Sequence, residues 1–239
     1  RDVAIKLLAA SGQKGSRAEA RLLAEAQAVA AVDHPAVCGL IETGELPDGG
    51  TFLVLPFYEG ETLKARLARG ALPVPQAAGI AAAVAEGLAV AHRSGIVHRD
   101  IKPANLMLGS DGQVRILDFG IAKLAGMQLT RTGERPGTIH YMSPEQAVGA
   151  PADARSDLWS LGVVLFEMLS GRRPFDGDNV AMVAAALVHQ PIPDLMTLAP
   201  EIPQPLVAIV ARLLQRDPVA RYGSAEDVVE ALGAVSCEL

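Results

Sequence analysis

Cysteine is nearly missing from the 239 residues: Cys38 and Cys237 stand far apart. Two distant thiols build neither a disulfide framework nor a thiolate zinc site, and a reducing cytosolic setting fits them. A basic excess is missing too. Twenty-one Lys and Arg against 27 Asp and Glu leave a formal charge of −6 and a pI near 5.4. That balance disfavours a non-specific nucleic-acid binder or a polybasic membrane-surface protein. No long hydrophobic run appears either. The longest, Ala77 to Ala91, contains Glu86 and follows Pro75, and is shorter than the roughly 18–20 residues that cross a bilayer. No signal peptide, internal repeat or low-complexity tail is visible, so a soluble chain is expected.

What is present is a globular composition: 50% hydrophobic and 20% charged residues of mixed sign, enough for one large core or two lobes. Val3–Leu8 reads as a strand. Ala18–Ala31 is rich in Ala, Leu, Glu and Arg without Gly or Pro and reads as a helix ended by Asp33-His-Pro35. Two β-type runs, Val37–Thr43 and Thr51–Phe57, flank the turn cluster Gly44-Glu-Leu-Pro-Asp-Gly-Gly50. Beyond Gly60 the pattern is mostly helical. Gln76–His92 and Leu158–Leu169 lack a polar face, which marks buried helices. Short strands are expected at Ile96–Val97, Leu106–Leu108 and Val114–Leu117, and further helices at Val180–His189, Pro205–Leu214 and Ala225–Leu232. Ala122–Ser143 has no regular pattern, and a loop of that length within a compact domain is usually functional. His34, His92, His140 and His189 show no metal-ligand spacing.

Three strings carry chemistry, in this order: Val3-Ala-Ile-Lys6, His98-Arg-Asp100-Ile-Lys102-Pro-Ala-Asn105 and Asp118-Phe-Gly120. With Gly137-Thr-Ile-His-Tyr-Met-Ser-Pro-Glu145, Asp157-Leu-Trp-Ser-Leu-Gly162 and Asp217-Pro-Val-Ala-Arg221, the chain resembles the eukaryotic-like Ser/Thr protein kinases of bacteria over essentially its whole length. The resemblance implies an α+β, two-lobed fold with ATP in the cleft: a partial N-lobe over 1–57, ordered strand, helix, strand, strand, and a mainly helical C-lobe over 58–239. No Gly-x-Gly occurs in the chain, so the family's glycine-rich phosphate loop is not found, and an N-lobe truncated upstream of Val3 is the expectation.

The resemblance also implies roles. ATP is polyanionic, so moving its γ-phosphoryl group is chiefly positioning and charge neutralisation. Lys6 is expected on the α- and β-phosphates, fixed by Glu25 on the neighbouring helix Ala18–Ala31. Asp100 is expected to accept or orient the proton of the substrate hydroxyl, and Lys102 to neutralise the γ-phosphate. Asn105 and Asp118 are expected to ligate Mg²⁺, a hard cation that takes oxygen donors. Adenine is expected at the hinge Leu55-Pro-Phe-Tyr58: Leu55 behind it, the Pro56 carbonyl and Tyr58 N–H on its edge, Ala4 and Met107 on its faces. Proline lacks an N–H but keeps its carbonyl.

Scaffolding expectations follow from the same resemblance. His98 packs under Phe119, in a column with Val29 and Leu40. Asp157 braces the catalytic-loop backbone, and Glu145 pairs with Arg221. Residues 118–145 form an activation segment in which Thr130 and Thr132 are candidate phosphorylation sites facing Arg99, while Thr138 meets Asp100 and Lys102. The implied activity is transfer from ATP, with Mg²⁺, to protein Ser/Thr hydroxyls, with self-phosphorylation, a homodimer for the trans reaction and a cytoplasmic location or the cytosolic part of a tethered protein. A catalytically impaired scaffold and a small-molecule phosphotransferase are the alternatives.

Overall fold

The computed structural model describes residues 2–8, 32–47, 50–119 and 138–236. The helix expected at 18–31, with Glu25 and Val29, lies outside them, as do Thr130 and Thr132. Three strands, β1 (Val3–Leu8), β2 (Glu42–Glu45) and β3 (Thr51–Pro56), form an antiparallel sheet ordered β1-β3-β2. Side chains alternate across a strand. The register Ala4↔Leu55 and Lys6↔Leu53 therefore puts these four residues on one face. That face looks into the cleft, because Leu53 is buried and the Lys6 ammonium reaches Asp118 of the other lobe.

The run Val37–Thr43 does not form one strand. Val37 makes only a parallel bridge to Ile116; Ile116 N–H donates to Ala36 O at 2.8 Å and Cys38 N–H to Ile116 O at 3.0 Å. That backbone is spent on the second lobe, so β2 starts later and runs on through Gly44. A Cβ on Gly44 would lie 2.3 Å from the Phe52 ring; glycine lets that ring cover the strand. The turn is correspondingly shorter, closed by Leu46 N–H donating to Gly50 O at 2.7 Å.

A second antiparallel sheet, β4 (Gly60–Thr62), β5 (Leu106–Gly109) and β6 (Val114–Ile116), lies on the helical lobe. The short helix α1 (Leu63–Leu67) follows β4, capped by the Thr62 hydroxyl. Next comes α2 (Val74–Arg93). Its 20 residues are long and apolar enough to cross a bilayer by length and composition, more than the expected apolar run suggested. Here its small residues Ala77, Ala81, Ala85 and Ala91 are fully buried, and it packs against α4 (Ala154–Ser170) and α8 (Ala225–Ser236). Ile96–Val97 is not a strand: Ile96 N–H donates back to Ala91 O, and the chain turns straight into the catalytic loop.

The remaining helices are α3 (Pro144–Ala147), α5 (Val180–His189), α6 (Leu195–Leu198) and α7 (Gln204–Leu213). Helix α4 is buried without a break from Ser156 to Phe166, as its missing polar face predicts. It starts at the Asp153 side-chain cap and ends at Gly171, whose φ of 70° suits glycine. A Cβ on Gly162 would stand 2.7 Å from the Leu213 Cβ, so α4 and α7 pass close enough to exclude any side chain there. This rigid helix carries Asp157 under the cleft.

Candidate active site

The loop from Ile96 to Asn105 is built around a carboxylate that does not face the cleft. Asp157 is fully buried. Its Oδ1 accepts Arg99 N–H at 2.7 Å and its Oδ2 accepts His98 N–H at 2.8 Å and His92 Nε2–H at 2.9 Å. Arg99 sits at φ 64°, a left-handed conformation that costs a non-glycine residue of the order of 1–3 kcal/mol. The charge-assisted bonds to Asp157 offset that strain and turn the chain so that Asp100 faces outward.

His98 behaves as the packed residue expected. It is wholly buried, its ring meets Phe119 edge-on at 4.8 Å, and burial pushes its pKa below the ordinary value. Its Nδ1 accepts Asp100 N–H at 3.2 Å while Nε2–H donates to Leu117 O at 3.0 Å. The neutral ring thereby ties the Asp100 loop to the segment leading into Asp118. Leu40 is half-buried.

The outward side of the loop gathers charged and amide side chains. Lys102 Nζ donates to Asp100 Oδ2 at 2.8 Å and to Thr138 Oγ1 at 3.0 Å. Asn105 Nδ2 donates to Asp100 Oδ2 at 3.1 Å and to Asp100 O at 2.8 Å, while Leu117 N–H donates to Asn105 O at 2.7 Å. The amide nitrogen of Asn105 is thus committed to Asp100. Across the cleft, Lys6 Nζ lies 2.7 Å from Asp118 Oδ1, with both side chains about one-third exposed. Asp118 also holds a positive φ, 58°. Asp100, Lys102, Lys6, Asn105 and Asp118 are therefore gathered around one opening between the lobes. The intended partner of Lys6, Glu25, lies outside the described residues. Of the two contacts expected for Thr138, the one to Lys102 is present.

The residues expected around adenine lie on β1, β3 and β5 and just after β3. Ala4 and Leu55 are cross-strand partners on the cleft face. Leu106 and Ile116 pair into the core, so Met107, one residue on, faces away from it. Pro56 ends β3 and Tyr58 follows in the connection to β4. Sequence reasoning gave no role to Arg115, whose guanidinium lies 4.3 Å over the Tyr58 ring. It also missed the link of Gln146, whose Nε2–H donates to Arg99 O at 3.1 Å, and the His92 bond to Asp157. Such contacts join residues 47 to 65 positions apart, and local patterning carries no signal for them.

Beneath the 138–145 segment, Arg221 spends every N–H. Nη1 and Nη2 each donate to Glu145 at 2.7 Å, and Nε, Nη1 and Nη2 reach Gln215 O, Arg155 O and Arg216 O. Burial raises the pKa of Glu145, but the hydrogen bonds from Arg221 and Ser156 outweigh it and bring the carboxyl to about 2. Ser143 is the N-cap of a complete capping box with Gln146, so the residue before Pro144-Glu145 has a structural use.

Comparison with known proteins agrees with this geometry. The family model described as the protein kinase domain matches residues 1–232. The chain is 38% identical over 229 residues to the probable serine/threonine-protein kinase PknB of Lactococcus lactis, covering 95% of this chain and 36% of that protein. It is 37% identical over 230 residues to PrkC of Bacillus subtilis, covering 95% and 35%. With the serine/threonine-protein kinase PknA of Corynebacterium glutamicum it shares 42% over 241 residues, covering 98% and 51%. The chain thus spans about a third to a half of the length of these curated relatives. Its fold, its cleft constellation and these matches place it in the protein kinase domain family.

Proposed function

We propose that the chain is a Ser/Thr protein kinase catalytic domain that moves the γ-phosphoryl group of ATP to hydroxyls of proteins, its N-lobe ending near residue 57 and its C-lobe running from 58. One observation carries the reading: Asp100, bonded to Lys102 and Asn105, opens onto the cleft across which Lys6 meets Asp118. Those are two carboxylates, two ammonium groups and an amide where a polyphosphate and a hydroxyl need charge neutralisation and a proton acceptor.

The donor set fits Mg²⁺. Asn105 Oδ1 and the Asp118 carboxylate are hard oxygen ligands, two being enough for an ion that keeps waters and phosphate oxygens. Among the described residues no group of three His, Cys, Asp or Glu could hold a metal by itself. When bound, the ion supplies charge neutralisation on the phosphates.

The chain's own residues do the rest. Lys6 moves from Asp118 to the α- and β-phosphates, with Glu25 as its proposed brace. Ala4, Leu55, Pro56, Tyr58 and Met107 enclose adenine. Asp100 takes the proton of the attacking hydroxyl as its oxygen bonds to phosphorus and the bond to the ADP oxygen breaks. Lys102, steadied by Thr138, offsets charge on the transferred group. Self-phosphorylation at Thr130 or Thr132, in trans between two copies, and work on the cytoplasmic side, where ATP is supplied, complete the proposal.

The test is intact mass and transfer to a generic protein substrate with Mg²⁺-ATP, beside an Asp100→Asn control. General-base loss lowers turnover by about 10²–10⁴-fold. Phosphate on wild type alone, at Ser or Thr, supports the reading; equal transfer by Asp100→Asn overturns the assignment of Asp100.

A further inference from the structure

Arg115 is a nearly buried cation with no assigned task. Its side chain is 12% exposed although it stands on a three-residue strand at the lobe surface. The register Met107↔Arg115 places it on the same face as Met107, away from the core-facing Leu106 and Ile116. Asp111, in the β5–β6 turn, grips the guanidinium with both oxygens, Nη1 at 3.0 Å and Nη2 at 2.5 Å. A bidentate grip fixes the plane as well as the position of the group. The Cζ of that group lies 4.3 Å from the centroid of the Tyr58 ring, over its face. Next to β6, Cys38 N–H donates to Ile116 O at 3.0 Å.

Tyr58 is therefore held by β6 through Arg115. The residues after it are bound to the same hairpin: Ser110 N–H donates to Glu59 O at 2.9 Å, and Gly60 pairs with Gly109. Upstream the hold is weaker. Phe57 is 55% exposed, and its N–H meets Asp2 O only at 3.4 Å. The position of the Tyr58 backbone is thus set from the C-lobe side, with the Arg115 cation on the ring face.

We propose that Arg115, oriented by Asp111, is a positioning residue that holds Tyr58 in register for the adenine edge, and so sets both nucleotide affinity and the preference for adenine over guanine. This rests on the reading of Tyr58 as an adenine-facing N–H. A cation over an aromatic face attracts more strongly once desolvated. Without it the ring gains freedom, and the N–H three bonds from the ring loses the alignment that distinguishes the two purines. Phosphate-side contacts, made by other residues, are untouched.

The experiment is equilibrium binding of Mg²⁺-ATP and Mg²⁺-GTP to the chain, as wild type, Arg115→Ala, Arg115→Lys and Asp111→Asn, with melting temperature alongside. Arg115→Ala is expected to lose about tenfold in ATP affinity and less than about threefold in GTP affinity. Arg115→Lys, which keeps the charge but not the fork, is expected to recover part of the loss. In turnover the loss falls on KM for ATP rather than on kcat. Asp111→Asn, which leaves the arginine in place, is expected to shift the ATP-to-GTP ratio the same way by about threefold. An Arg115→Ala protein with the wild-type purine preference overturns the inference. So do equal losses for both nucleotides with a lowered melting temperature, which mark a structural residue. Should Arg115→Ala not fold, an unchanged ratio in Asp111→Asn decides against it. Failure of wild type to bind either nucleotide removes the kinase reading itself, and the inference with it.

Discussion

Asp157 accepts the backbone N–H of Arg99 at 2.7 Å and holds that residue at φ 64°. The carboxylate belongs to a helix buried from Ser156 to Phe166, while the strained backbone belongs to the loop that carries Asp100. A position fixed by the deepest packing in the molecule is thereby transmitted to a side chain at the cleft. The second oxygen takes His98 N–H and His92 Nε2–H, so one carboxylate satisfies three donors.

Removing that carboxylate should damage catalysis and stability together. Asp157→Ala leaves two backbone N–H groups buried without partners, each costing about 1–3 kcal/mol, and releases the Arg99 backbone. Turnover is expected to fall by at least about 100-fold, and the melting temperature by about 5 °C or more. His92→Ala removes one donor and spares the backbone bonds, so a drop of about 1 kcal/mol is expected. Chemical denaturation of both variants checks the order; His92→Ala proving more damaging than Asp157→Ala would reverse the argument.

Arg221 makes the opposite kind of contribution, far from any chemistry. Its five N–H groups all have acceptors, two of them on Glu145. Arg221→Ala strands the Glu145 carboxylate and is expected to cost about 3–5 kcal/mol. The protein should melt lower or fail to accumulate, and any folded fraction should keep its nucleotide affinity. A variant with wild-type melting temperature would refute this.

Glu145 and His98 also predict how stability depends on pH. Glu145 has its pKa depressed from 4.5 to about 2, so the stabilisation it gives is complete above the unfolded value and is lost as pH falls from about 4.5 towards 2. His98 is held below its ordinary 6.5 by burial. Below 6.5 the unfolded chain binds a proton there that the folded chain refuses, so stability again declines with falling pH, from a higher onset. Denaturant midpoints of wild type and Glu145→Gln, measured from pH 7 to pH 3, should differ less as the pH drops. A gap that stays constant to pH 3 contradicts the assignment.

Much of this was legible in the chain. The strands Val3–Leu8 and Thr51–Pro56, and the helix Val180–His189, show in composition and periodicity because each is bounded by turn residues. The pairing of Glu145 with Arg221, 76 positions apart, came only through the family resemblance; nothing local announces it. Where reading failed, long-range bonding had claimed the backbone. Val37 pairs with Ile116 instead of extending β2, and Ile96 bonds back to α2. The hold of Arg115 on Tyr58 was invisible for a similar reason: in the sequence it is one more charged residue in a short strand.

Thr138 supplies the last prediction. Lys102 Nζ divides its donors between Asp100 Oδ2 and Thr138 Oγ1, at 2.8 and 3.0 Å, so the hydroxyl holds the ammonium midway between the catalytic loop and the segment that would receive a peptide. Thr138→Val keeps the shape and deletes the acceptor. Lys102 is then left to Asp100 alone, where its charge would oppose the proposed proton acceptance, and kcat is expected to fall by about tenfold or more. Thr138→Ser restores the oxygen and should recover most of the rate. Thermal melting should stay within about 2 °C in both, since the side chain is only half-buried. Equal rates for the Val and Ser variants would show that the Thr138 hydroxyl does not set the working position of Lys102.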